Sequence, residues 1–245
     1  MAEPQKYLWK ALLWGTQAVG LLTVLLTIAW VFIFKGGVGW RSEPKLEFNW
    51  HTISFTVGMF YLYANGIIVY KAFPHLSKRN LKWIHTGITG AVILCMFFGM
   101  LTILDSHNFR TPKKDNWYSL HDWTGIMAMG VFCFQWVFSV YVYLYPASPS
   151  TLRMSYKPLH IFLGCAAFLC AVATSLTGFF GKQKKVPNFT KMPPEGLLLN
   201  IITVLHVVFA GLVVYIIYDG NTSQMSSGNY GNASTASMSS KKSEE

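Results

Sequence analysis

Four apolar stretches of about twenty residues each open on a histidine, a length that matches one bilayer crossing. His51 begins HTISFTVGMFYLYANGIIVY, His85 begins HTGITGAVILCMFFGMLTIL, His121 begins HDWTGIMAMGVFCFQWVFSV and His160 begins HIFLGCAAFLCAVATSLTGFF. A helix rises about 1.5 Å per residue, so each stretch can cross a hydrocarbon layer roughly 30 Å thick. Lipid offers no hydrogen bonds to the backbone, which leaves the α-helix as the form such a stretch takes. An ionisable side chain in that setting is costly, has a partner and marks a site. Composition agrees: 52% of the 245 residues are hydrophobic and 12% are charged, against about a quarter charged in soluble domains.

Two further apolar stretches bring the expected spans to six, at roughly 7–34, 51–73, 83–104, 121–145, 159–180 and 197–218. The first is too long for a secretory leader and lacks a small-residue cleavage pattern. The expected fold is an all-α integral membrane protein of six transmembrane helices, residues 1–218, with a four-helix core formed by spans 2–5. Residues 219–245, rich in Ser, Asn, Gly and Lys, read as a disordered polar tail. The net charge of +10 sits in short loops and tails, which suits lipid headgroups or a small anion; no motif favours nucleic acid. The four cysteines lie inside apolar stretches as reduced thiols, and no CxxCH offers covalent haem attachment. Lys and Arg divide ten to ten between the two sides, so charge does not orient the chain. The sequon at Asn188 favours a luminal fifth connection, but sequons at Asn221 and Asn232 weaken that argument.

Alternation of the spans pairs the histidines. His51 and His121 enter from one side, His85 and His160 from the other, so each pair shares a depth near one membrane face. Two opposed neutral imidazoles can supply both axial ligands of a haem iron. A closed zinc site wants four ligands, and no Cys, Asp or Glu recurs at the matching depth. Small residues stand one or two turns along the same helix faces: Ser54 and Gly58, Thr89, Gly125 and Ala128, Gly164 and Ala167. Such residues are common wherever membrane helices pack closely, but their recurrence on four ligand faces favours room for a macrocycle. His75, in FPHLSKR, reads as a solvated surface residue. His107 lies just past span three, at the surface or over the His51/His121 pair as a proton-handling group. Lys71, Lys78, Lys82, Arg153 and Lys157 gather at the His85/His160 end, where they anchor helix ends to headgroups or hold a small anionic reductant.

The stretches FNWH at 48–51, LKWIH at 81–85, SHN at 106–108, YSLHDW at 118–123, LR at 152–153, KPLH at 157–160 and PPEG at 193–196 resemble the eukaryotic cytochrome b561 family. The likeness runs from about residue 35 to 218. It implies two non-covalent b haems per chain, a homodimer and cytosolic termini, in a vesicle, endolysosomal, vacuolar or plasma membrane. His85 and His160 would hold the cytosolic haem, and His51 and His121 the other. Lys78, Lys82 and Arg153 match positions that bind cytosolic ascorbate, and Lys71 stands where relatives commonly have arginine. Lysine lacks the bidentate fork of arginine, which loosens a grip there. His107, as a catalytic group, with Asn108 and Tyr118 beside it, matches the non-cytosolic substrate site. Thr52 and Asp122 replace a usual proline and serine; the added carboxylate would lower the adjacent haem's potential or attract ferric ions.

The expected function is one-electron transfer from cytosolic ascorbate to monodehydroascorbate or a ferric chelate outside. A haem-free transporter with a histidine proton relay is the rival reading, and a histidine-rich scaffold a second.

Overall fold

The computed structural model describes residues 3–145 and 148–241, with side chains described as far as 218. Among these residues there are helices and no strands. In chain order they are α1 (Glu3–Phe34), α2 (Pro44–Phe55), a wide π turn (Thr56–Leu62), α3 (Tyr63–Ala72), α4 (Lys78–Asn108), α5 (Leu120–Tyr143), α6 (Ser150–Gln183), a short 3-10 turn (Phe189–Lys191) and α7 (Pro194–Lys241). Six segments are long and apolar enough to cross a membrane, α2, the π turn and α3 forming one of them, Pro44–Ala72. The helix α7 runs on through 219–241, most of the stretch expected to be a disordered polar tail; the side chains of that part, and residues 242–245, lie outside the described residues.

The helices start earlier than their apolar stretches. Hydropathy marks where lipid begins, whereas a helix begins where its first turn is capped. Ser77 accepts from the Asn80 amide and starts α4 about two turns before His85. Pro44 opens α2 about two turns before His51, the first-turn position proline tolerates. His121 alone stands at the start of its helix. There Ser119 and Asp122 form a reciprocal capping box, each side chain bonding the other's backbone amide.

Three helix pairs pack most closely: α2 with α4, α5 with α6, and α1 with α7. The first two pairs face each other across a cleft, and the α1/α7 pair closes one side. Close approach within pairs depends on small residues. A Cβ at Gly58 would stand 2.6 Å from the Cys95 Cβ, and one at Gly66 would stand 2.9 Å from the Thr89 methyl. Buried threonines of α1 return their hydroxyls to the carbonyl four residues back, as Thr16 does to Leu12 at 2.8 Å. In apolar surroundings that local bond removes an unpaired donor.

The main core fills the cleft at mid-depth. Tyr63, Phe132 and Phe168 meet edge to face, with centroids 4.6 and 5.7 Å apart. The Tyr63 hydroxyl donates to the Gly164 carbonyl at 2.9 Å, so the ring is held at both ends. A second core joins Trp30 and Val31 to Phe179, Leu199 and Ile202. Trp30 donates to the Glu195 carboxylate, which also pairs with Lys35, tying α1 to the start of α7. The aromatic layer of Tyr63, Phe132 and Phe168 therefore separates two histidine-bearing ends.

Candidate functional site

His51 on α2 and His121 on α5 face each other across the cleft, ring centroids 6.1 Å apart and planes at 73°. At the other end His85 on α4 and His160 on α6 stand 6.0 Å apart at 72°. Both pairs expected from the sequence are brought together, each joining one helix pair to the other. All four rings are half-buried.

Each ring is anchored within its own helix pair. His51 Nδ1 lies 3.2 Å from the Gly99 carbonyl, His85 Nδ1 2.7 Å from Gly66 and His121 Nδ1 2.9 Å from Thr174. A carbonyl only accepts, so Nδ1 carries the proton in these three and Nε2 keeps its lone pair. His160 differs: its Nδ1 lies 2.9 Å from the Ser139 hydroxyl, which also meets the Tyr156 hydroxyl at 3.2 Å. The anchors fix ring direction and leave the Nε2 atoms as bases in the cleft, the arrangement metal-ligating histidines adopt.

An atom bound by two opposed imidazole nitrogens at about 2 Å each would separate the ring centroids by about 6 Å, as both pairs do. No group of three or more His, Cys, Asp or Glu side chains suited to a metal occurs among the described residues. Two imidazoles alone leave four coordination positions to something else, which a tetradentate macrocycle supplies and a closed zinc site does not. The four cysteines are free thiols.

A chamber of about 670 Å³ opens from the His51/His121 pair to the protein surface. Its size and its largely apolar wall suit a large cofactor with a smaller molecule at the mouth. His107, Tyr118 and Asp122 line it; Asn108 is exposed and lies off the wall. His107 is 7% exposed. Its Nδ1 bonds the Asn116 side-chain oxygen at 2.7 Å, and its Nε2 meets the Lys114 ammonium at 3.1 Å. An ammonium only donates, so Nε2 accepts and the ring is neutral in this arrangement. The Phe48 ring stacks on His107 at 6.1 Å and carries Lys182 Nζ 3.5 Å from its centroid. Burial holds Lys114 below the ordinary lysine pKa, helped by Lys185 and Arg110 and opposed by Asp122.

At the His85/His160 end, Lys78 and Lys82 line a smaller surface pocket of about 330 Å³ with Arg79, Trp83, Tyr143 and Leu144. Tyr143 links it to the pair, its ring 5.8 Å from His160. Arg153 approaches through its backbone, its carbonyl accepting from the Tyr143 hydroxyl at 3.2 Å. Lys71 ends α3 and is not part of this pocket wall. Of the expected basic cluster, Lys78 and Lys82 share the pocket.

Sequence reasoning missed Lys114, Asn116, Lys182, Tyr143 and Ser139. Phe48 had a usable signal, since it stands three residues before His51 and so shares its helix face. Lys182 had none, because it meets Phe48 only through tertiary packing. His206, also overlooked, is fully buried against Phe60 at 4.1 Å, its Nδ1 bonding the Ile202 carbonyl of its own helix.

A family model described as eukaryotic cytochrome b561 matches residues 50–185. The chain is 32% identical over 206 residues to the human "Transmembrane ascorbate-dependent reductase CYB561", covering 82% of this chain and 80% of that one. The Bos taurus protein of the same name is 32% identical, with 82% and 79% covered. The Xenopus laevis "Plasma membrane ascorbate-dependent reductase CYBRD1" is 33% identical over 213 residues, with 84% and 74% covered. The four paired histidines, His51, His85, His121 and His160, fall inside the family match, as do His75 and His107.

Proposed function

Because the chain belongs to the eukaryotic cytochrome b561 family, a family of multi-pass membrane proteins, we propose that it is an ascorbate-dependent transmembrane reductase carrying single electrons across the bilayer. The observation that carries this reading is the pair of facing imidazole couples, each anchored through Nδ1 and 6.0–6.1 Å apart. A b-type haem in each cleft end would supply the one-electron redox change. His51 with His121, and His85 with His160, would hold the two haems. Bis-imidazole ligation occupies both axial positions, which favours electron transfer over chemistry at the iron.

Each residue then has a defined task. Lys78 and Lys82 hold the ascorbate anion at the pocket beside Tyr143, whose hydroxyl bonds the Arg153 carbonyl. The Arg153 and Lys71 side chains, outside the pocket wall, add positive charge to that end. Tyr143 separates that pocket from the His160 ring and fixes the approach distance. Tyr63, Phe132 and Phe168 exclude water between the two ends. His107, held by Asn116 and Lys114, exchanges a proton with the acceptor at the other end, with Tyr118 beside it. The Lys78/Lys82 end faces the cytosol with the termini, and the acceptor outside is monodehydroascorbate or a ferric chelate. The protein works as a homodimer.

Purified protein expressed with haem supplied should show a Soret band and an α-band that ascorbate strengthens. His85→Ala and His51→Ala should each remove one haem per chain. A protein with no haem bands, or one that keeps both haems in the two variants, overturns the reading and leaves a haem-free transporter.

A further inference from the structure

One span serves both histidine pairs. α2 supplies His51 itself, and α3 supplies the Gly66 carbonyl that takes the His85 Nδ1 proton at 2.7 Å, the shortest of the three carbonyl anchors. Between them lies the π turn, where the Tyr63 amide reaches back five residues to the Gly58 carbonyl. Such a turn takes in one residue more than an α turn, so it rotates the chain beyond it by roughly 100° against an unbroken α-helix. The direction of the Gly66 carbonyl therefore depends on the turn being kept. Gly66 has no side chain with which to hold it.

The exit of the turn is tied to α1 by a closed set of hydrogen bonds. The Tyr61 hydroxyl donates to Gln17 Oε1 at 2.8 Å, Gln17 Nε2 donates to Asn65 Oδ1 at 2.9 Å, and Asn65 Nδ2 donates to the Tyr61 carbonyl at 2.9 Å. Tyr61 lies within the turn, and Asn65 is joined to Gly66 by a peptide bond. Two carboxamides on membrane-spanning segments need partners, and these three side chains satisfy one another. Packing backs the contact: a Cβ at Gly20 of α1 would stand 2.8 Å from the Tyr61 ring. Thr16, Thr23 and Thr27 direct their hydroxyls to carbonyls of α1 itself, whereas Gln17 directs its amide to the turn.

We propose that Gln17, Tyr61 and Asn65 are positioning residues for the His85/His160 pair. They hold the π turn and, through the Asn65–Gly66 peptide, keep the Gly66 carbonyl on His85 Nδ1. The inference rests on the reading of both pairs as haem ligands. It gives α1, which carries none of the paired histidines, a part in setting the properties of one haem. His51 precedes the turn and has its own anchor at the Gly99 carbonyl, so the effect falls on the His85/His160 end. A loosened Nδ1 anchor makes the imidazole less basic, which weakens its hold on iron and raises the midpoint potential.

Gln17→Met keeps the side chain's length and removes both amide bonds, and Tyr61→Phe removes the hydroxyl alone. Thr16→Val, which breaks only a bond within α1, is the control. The full chain, haem-loaded in detergent, is titrated potentiometrically while the low-spin ferric EPR signal of each haem is followed. The signals are assigned by which one His85→Ala and His51→Ala remove. In Gln17→Met the His85/His160 haem should bind about tenfold more weakly, with a higher midpoint potential and a moved EPR signal. Tyr61→Phe should act in the same direction and less. The His51/His121 haem, and both haems of Thr16→Val, should match the unaltered protein. Equal changes at both haems, or an unchanged His85/His160 haem in both variants, overturn the proposal. If Gln17→Met yields no folded protein, Tyr61→Phe decides. Unaltered protein without haem bands sinks the haem reading and this inference with it; normal bands with unmoved variants sink this inference alone.

Discussion

Replacing Gly178 by alanine should dislodge His121. Gly178 lies on α6 against the imidazole, and a Cβ there would stand 2.9 Å from His121 Cε1 and 3.1 Å from Nδ1. Ordinary contact begins at about 3.4 Å, so the ring must retreat by about half an ångström. That retreat strains the 2.9 Å bond from Nδ1 to the Thr174 carbonyl, which fixes both tautomer and ring direction. Overpacking of this kind costs about 1–3 kcal/mol, and weakening the anchoring bond adds about 1 kcal/mol. Together these amount to a loss of tenfold or more in haem affinity at the His51/His121 end. Gly130 on α5 is the control, since a Cβ there meets nothing within 4 Å. Haem per chain, from pyridine haemochrome absorbance across a haem titration, should drop toward one in Gly178→Ala and stay at two in Gly130→Ala. Two tightly bound haems in Gly178→Ala, with an unchanged spectrum, would refute the claim that α6 packing sets the ligand.

His160 is the one paired histidine whose Nδ1 partner is a side chain, so Ser139→Ala tests the anchor directly. Loss of such a partner typically lowers affinity 10–100-fold, and a less basic imidazole should raise the midpoint potential of the His85/His160 haem. Potentiometric titration reads the shift, and an unmoved potential with normal haem content counts against the anchoring role. Lys78→Gln with Lys82→Gln should slow reduction by ascorbate about a hundredfold, from two charge-assisted contacts, while dithionite still reduces both haems. Stopped-flow absorbance at the α-band measures it; an unchanged rate places the donor elsewhere.

Spacing along the chain determined a good deal. Stretches of lipid-crossing length, each opening on a histidine, prescribe helices, and their alternating direction prescribes that His51 meets His121 and His85 meets His160. Both follow because lipid imposes hydrogen bonding within each segment, a local requirement that one dimension can express. Helix starts were less legible, since capping by Ser77 and Ser119 operates outside the apolar stretch that hydropathy detects. Asn108 was the natural neighbour to expect beside His107, yet the chain turns so that Asn116 takes the hydrogen bond.

Only tertiary structure decided which atom of each histidine is free. The Gly99, Gly66 and Thr174 carbonyls that take the Nδ1 protons belong to neighbouring helices, and their positions follow from how closely small residues let those helices approach. The same holds for Lys182, brought from the end of α6 onto a ring at the start of α2. Sequence fixes what a segment is by the solvent it must live in. Which segments touch, and through which atoms, depends on complementary surfaces that exist only once the helices have packed.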